Sequence, residues 1–159
     1  MPEMTQCPKR QIPAMTSIAN QETLTNLIYY RERVEISSMK ELVSKKMFEE
    51  GKSYYDVWMY EVSDEIQSFA SAFGERFMLE NALSDFAKVK HAGARETLER
   101  VIFLHSVNLV RRNVAWYLVN EVISHGAAAE LDAVHDAAVK ALVPHMNTCV
   151  EALGLTNIK

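Results

Sequence analysis

From Gln21 to Leu153 the apolar residues recur at spacings of three and four, and glycine or proline falls near the end of most runs. That rhythm matches one face of a 3.6-residue helix, not the two-residue alternation of a half-buried strand. No β-type alternation of useful length occurs, so the sequence predicts an all-α fold. A first helix, about Gln21 to Glu50, carries Leu24, Leu27, Ile28, Val34, Met39, Leu42 and Val43. Asn20 is its expected N-cap, and Lys45 and Lys46 suit the negative end of its dipole. A second starts at the Ser53-x-x-Asp56 box and carries Val62, Ile66, Phe69, Ala70, Phe73 and Phe77 to about Lys88, with a break expected near Asn81. A third starts near Arg95, carries Leu98, Val101, Ile102, His105, Leu109, Trp116, Val119 and Ile123, and is expected to end at Ser124-His125-Gly126. A fourth starts near Ala128 and carries Leu131, Val134, Ala138, Ala141, Leu142, Cys149 and Leu153. Pro144 lies inside it and must kink or split it, because proline lacks the backbone donor and clashes one turn back. Gly51, Gly93, Gly126 and Gly154 are read as helix-closing residues. Four such helices with short connections imply an antiparallel up-and-down four-helix bundle.

The domain layout follows: a flexible leader over 1–20, which holds Pro2, Pro8 and Pro13, the helical domain over 21–155, and a tail over 156–159. A chain of 159 residues can bury roughly 70% of its unfolded surface, enough for a core without staples. Its net charge of −4 gives no electrostatic case for nucleic acid or an anionic membrane surface. The two cysteines, Cys7 and Cys149, form no Cys-x-x-Cys and no ligand spacing, so a reducing compartment is expected. No apolar run reaches membrane-spanning length, and the first 20 residues lack the apolar core of a signal peptide.

Few residues invite chemistry. There is no Gly-x-Ser-x-Gly, no phosphate-binding glycine loop and no Glu-x-x-His. The pairs Asp132/His135 and Glu121/His125 are read as solvated helix-face neighbours, so no catalytic residue and no metal site are assigned. The candidates that remain are interface residues: His105, Arg112 and Trp116 share one stripe, seven and four residues apart. Arg112 is expected to pair with an acid on another helix or to anchor an interface, where arginine and tryptophan are favoured. Tyr29, Tyr30, Tyr54, Tyr55, Trp58 and Tyr60 gather near the ends of the first two helices. Packing of the bundle end is the first reading of that cluster and an exposed partner patch the second.

Three stretches carry a resemblance. "GKSYYDVWMYEVSDEIQSFASAFGERFMLENALSDF" and "LERVIFLHSVNLVRRNVAWYLVNEVIS" resemble two successive helices of peroxisomal acyl-CoA oxidases, and "LDAVHDAAVKALVPHMNTCVEALGL" is similar to that family's final helix. Leu142, Pro144, Val150, Glu151, Ala152, Leu153 and Gly154 stand at the matching places of that last pattern. Phe73 stands where the family often has His, and His105 where it often has Tyr. The resemblance implies a C-terminal helical domain of an enzyme that uses FAD to oxidise acyl-CoA to trans-2-enoyl-CoA with release of H2O2. Because the family's flavin site and catalytic Glu lie mainly on upstream domains, none of these residues inherits catalysis. The resemblance further implies a peroxisomal setting, although Asn157-Ile158-Lys159 is not the usual address; failing that, the expectation is cytoplasmic. It also implies a homodimer or an acyl-CoA-oxidase-type partner, with no FAD on this chain alone. The alternative is a stand-alone helical interaction module that docks on a full-length oxidase or on itself.

Overall fold

The computed structural model describes residues 18–154, and every regular element among them is helical. The expected tail, most of the expected leader and Cys7 lie outside the described residues. In order come α1 (Gln21–Ser44), a first π-helical segment (Lys45–Glu49), α2 (Tyr54–Asp56) leading into a second π-helical segment (Val57–Glu61), and α3 (Ser63–Lys88). Then follow α4 (Ala92–Arg112), α5 (Val114–Val119), α6 (His125–Leu142), a 3-10 turn (Val143–His145) and α7 (Met146–Ala152). The all-α class holds, and each of the four expected helices is present in interrupted form.

The interruptions have local causes. Asn20 Oδ1 accepts from the Thr23 amide at 2.8 Å and starts α1. At the far end the Glu50 amide reaches Lys45 O at 3.3 Å, and Lys52 N reaches Lys46 O at 3.2 Å. Gly51 sits between them at φ +67°, a left-handed turn in which a side chain would be strained. The second break falls at Val62 (φ −132°), not at Asn81, which lies within α3. Gly93 and Gly126 open helices instead of closing them. Each follows an N-cap: His91 Nδ1 accepts from Ala94 N at 3.2 Å, and Ser124 Oγ from Ala127 N at 3.1 Å. Ser124 therefore begins α6, and the expected long third helix stops earlier, at Asn113. There the Asn113 side chain donates to Leu109 O at 2.8 Å, a local competitor of the helical ladder. Pro144 splits the last helix as expected, through the 3-10 turn.

The described chain divides into two compact units, residues 26–78 and residues 18–25 with 79–154. In the first, Leu27, Ile28, Met39, Val57, Val62, Phe69 and Ala72 are buried. So are Arg31 and Glu32, at 6% and 7% exposure. They close two crossed ion pairs between α1 and α3. Arg31 Nη1 donates to Glu75 Oε2 at 2.7 Å, and Arg76 grips Glu32 through Nε at 2.6 Å and Nη2 at 3.0 Å. The direction of charge reverses between neighbouring pairs, so a one-residue slip would set arginine against arginine. Arg76 also lies over the rings of Phe73 and Tyr29, at 5.1 and 5.8 Å. Ser68 donates to Glu35 at 2.9 Å, extending the polar seam.

In the second unit α4 packs on α6, burying Ile102, Val107, Leu109, Val110, Leu131 and Ala138. Each fully buried aliphatic side chain contributes roughly 2 kcal/mol. Gln21 Nε2 donates to Ser106 Oγ at 2.8 Å and ties the start of α1 to α4. Thr97 Oγ1 donates to Gly93 O at 3.0 Å and contacts His145 Nδ1 at 2.9 Å, which ties the 3-10 turn to α4.

Glu32→Ala should lower the unfolding free energy by about 3 kcal/mol, because it leaves a guanidinium mostly enclosed without its acid. In urea denaturation the double variant Glu32→Ala/Arg76→Ala should lose less than the two single losses added together. Additive losses would show that the pair is not coupled.

Candidate functional site

The segment Tyr54 to Glu61 is unusual in what it leaves in solvent. Tyr54, Tyr55, Trp58, Met59 and Tyr60 are 37–72% exposed, and Val57 alone of the segment is buried. Phe48, in the first π-helical segment, is 82% exposed. The aromatic rings organise one another. Tyr54 stacks on Trp58 at 5.5 Å, four residues on, and Tyr55 meets Tyr60 edge-on at 6.2 Å, five residues on. The second contact follows the wide i→i+5 turn closed by Val62 N on Val57 O at 3.1 Å. Ser53 holds the start of the segment, accepting from Asp56 N at 3.1 Å and donating to Asp56 Oδ2 at 2.6 Å.

An ion square fixes the segment to the end of the first helical run. Lys52 Nζ contacts Glu61 at 2.8 Å and Glu50 at 3.1 Å; Lys46 Nζ contacts Glu61 at 3.0 Å and Glu50 at 3.5 Å. Hydrogen bonds from Lys52 hold the Glu50 and Glu61 carboxyls below the usual carboxylate range, and the same acids, Glu61 first, raise the Lys52 ammonium. A segment with five apolar side chains in water keeps its shape through Val57, the cap and these four charges. The partner-patch reading of Tyr54, Tyr55, Trp58 and Tyr60 is therefore the one the exposures favour. Tyr29 and Tyr30 behave differently: both are half-buried, and Arg33 lies 5.4 Å over the Tyr30 ring.

The three stripe candidates do not share one environment. His105 and Trp116 are half-buried and Arg112 is exposed. Tyr117, at 1% exposure, is the aromatic of this region that enters the interior, and Trp116 packs edge-on against it at 5.3 Å. The break at Asn113 shifts the helical phase, so a stripe extrapolated across it lands one residue early. Arg111, the neighbour of Arg112, makes an inter-helix pair with Asp132 at 2.6 Å.

Among the described residues of the second unit are two hollows of note. A cleft of about 670 Å³ has apolar walls, among them Phe86, Ile102, Phe103, Val134 and Ala138, with Glu96, Glu99 and Arg100 also in its lining. Arg100 donates to Glu96 at 2.8 Å, which, with the charges of Arg100 and His145, holds the Glu96 carboxyl below its usual range. A second hollow of about 610 Å³ is lined by Asn108, Arg111, Arg112, Val114, Ala128, Leu131 and Asp132. Among the described residues no group of three His, Cys, Asp or Glu could hold a metal ion. No described helix is long and apolar enough to cross a membrane.

A family model described as acyl-CoA oxidase matches residues 20–158, nearly the whole chain. The chain belongs to the acyl-CoA oxidase family. Comparison with curated proteins and with solved structures found no match. Acyl-CoA oxidases in general depend on FAD, whose pyrophosphate requires available cations or converging amide donors. Neither hollow suits it. The cleft sets two glutamates against one arginine already paired with one of them. In the second hollow Arg111 is committed to Asp132, and both arginines sit in the last turn of α4, whose carbonyl end disfavours an anion.

The acidic limb of the ion square sets a pH dependence. A depressed carboxylate pKa adds stability that is present above the ordinary value, 4.5, and is lost as pH falls through the folded pKa. A raised lysine pKa adds stability that is present below the ordinary 10.5 and is lost as pH rises through the folded pKa. The Tm difference between wild type and Lys52→Met should therefore be level between these limits and shrink outside them. A difference independent of pH would remove the ion square from the account.

Proposed function

We propose that this chain is the C-terminal helical domain of an acyl-CoA-oxidase-type assembly and that it acts by docking, not by catalysis. The observation that carries the reading is the capped, ion-pinned segment Tyr54–Glu61 with its aromatic side chains in solvent. Exposed apolar surface of this extent marks an interaction site on a folded domain. The family match supplies the context: FAD-dependent oxidation of acyl-CoA to trans-2-enoyl-CoA with release of H2O2, in peroxisomal fatty acid β-oxidation. In that assembly the flavin and the catalytic base belong to other domains, and the lining of the two hollows supports this division. His105, Arg112 and Trp116 are secondary contact candidates, of which Arg112 is exposed. A stand-alone interaction module would use the same aromatic segment, and docking on a full-length oxidase is common to both readings.

Purified chain should bind no stoichiometric FAD and consume no oxygen with acyl-CoA, and it should be retained by an immobilised full-length acyl-CoA oxidase. Stoichiometric flavin with oxygen uptake would overturn the non-catalytic reading. Absence of any affinity for the oxidase would overturn the docking partner.

A further inference from the structure

Among the described residues three buried side-chain atoms lack a hydrogen-bond partner: Gln21 Oε1, Arg31 Nε and Arg100 Nε. Two of the three belong to residues that line the apolar cleft of the second unit, so the unmet polarity is concentrated there. We propose that this cleft is a binding site for a neutral molecule with a polar group at each end: an apolar body carrying a hydroxyl or carbonyl for Arg100 and an O–H or N–H for Gln21. The proposal is independent of the docking reading above.

The neighbours of each atom fix what it lacks. Thr25 Oγ1 donates to Gln21 O and Ser106 Oγ to Ile102 O, both at 2.8 Å. Each hydroxyl has committed its proton, so each accepts from Gln21 Nε2, at 3.1 and 2.8 Å. Turning the amide over would set its oxygen against two acceptors. Gln21 Oε1 is therefore held as an acceptor without a donor. Arg100 has the complementary lack. Arg76 grips Glu32 with Nε and Nη2 together, whereas Arg100 reaches Glu96 through Nη2 alone, at 2.8 Å. Its Nε–H is left without an acceptor. A polar atom enclosed without a partner costs stability that a matching group restores. The Gln21 amide is held at Ser106, and the Arg100 guanidinium turns back to Glu96. Along α4 the two thus stand about 9 Å apart or more, the rise of six residues. Ile102 and Phe103 lie between them on α4, and Phe86, Val134 and Ala138 add to the apolar lining. The volume, about 670 Å³, falls in the range of roughly 300–1,000 Å³ that small-molecule sites occupy. Charge selects against ions. Glu96 and Glu99 oppose an anion, and Arg100 opposes a cation, which would also bring no acceptor for Nε. Both atoms are enclosed as the side chains stand, so the ligand meets them through a small turn of each.

Isothermal titration of the full chain near neutral pH tests this with probes of one length. The diol 1,8-octanediol should bind one per chain with a Kd below about 1 mM, and octanol, with a single hydroxyl, about tenfold more weakly. The diacid and the diamine of the same chain, both charged, should bind more weakly still. Gln21→Leu should lower the affinity for the diol to that for octanol while leaving octanol unchanged, a selective loss that misfolding does not produce. Arg100→Met, at a half-buried position of α4, should do the same by removing the other partner. Ala141→Phe sets a ring in the lining and should abolish binding of both probes with circular dichroism unchanged. Equal affinity of the wild type for diol and octanol would overturn the proposal. So would a diol preference that both Gln21→Leu and Arg100→Met leave intact, a charged probe bound as tightly as the diol, or no saturable binding of the diol.

Discussion

The crossed pairs Arg31–Glu75 and Glu32–Arg76 are the constraint from which the first unit follows. They set long charged side chains where an apolar stripe would normally run, at 6% and 7% exposure on the α1 side. A buried ion pair gains little over a well-packed apolar pair of the same volume, because desolvation offsets most of the Coulomb attraction. What it adds is discrimination. The bidentate grip of Arg76 on Glu32 has one register, and any other leaves a buried charge unpaired. With α1 and α3 fixed in register, their connection must close over a set distance. The two π-helical segments and the turn at Gly51 are the local form that closure takes.

That closure explains how aromatic side chains can stand in water without the segment unravelling. The backbone of Tyr54–Glu61 is anchored at Val57, capped by Ser53 and tied by Lys46 and Lys52 to both Glu50 and Glu61. Isolated exposed lysine–glutamate pairs add little, but four charges closed into a square position one another and their entropy loss is shared. The acyl-CoA oxidase family supplies the setting in which such a surface has a use.

Much of this was legible in the sequence. The Asn20 cap, the Ser53/Asp56 box and the split at Pro144 all stand where the residues place them, since each rests on local chemistry. The glycines misled where polarity outranked them. Gly93 and Gly126 looked like stops, but His91 and Ser124 upstream accept the first free amides and turn both positions into starts. The candidate stripe His105–Arg112–Trp116 assumed an unbroken helix. Asn113 breaks it and moves Tyr117 inside. The crossed ion pairs were illegible because hydropathy assigns arginine and glutamate to solvent, and only a partner helix 44 residues away shows otherwise. The i, i+7 relation of Leu24 to Arg31 and the i, i+4 relation of Ile28 to Glu32 were the available signal. Both acidic and basic residues there continue the buried face of α1.

An exposed aromatic segment is thus held rigid by its own cap and ion square. Amide hydrogen exchange of the Val57 and Val62 N–H groups tests it most directly. They bond to Ser53 O at 3.0 Å and Val57 O at 3.1 Å. Both should exchange far more slowly than in an unfolded chain, and Lys52→Met should erase much of that protection. Exchange at unfolded-chain rates in the wild type would mean that the segment is frayed, and the preformed surface would not exist.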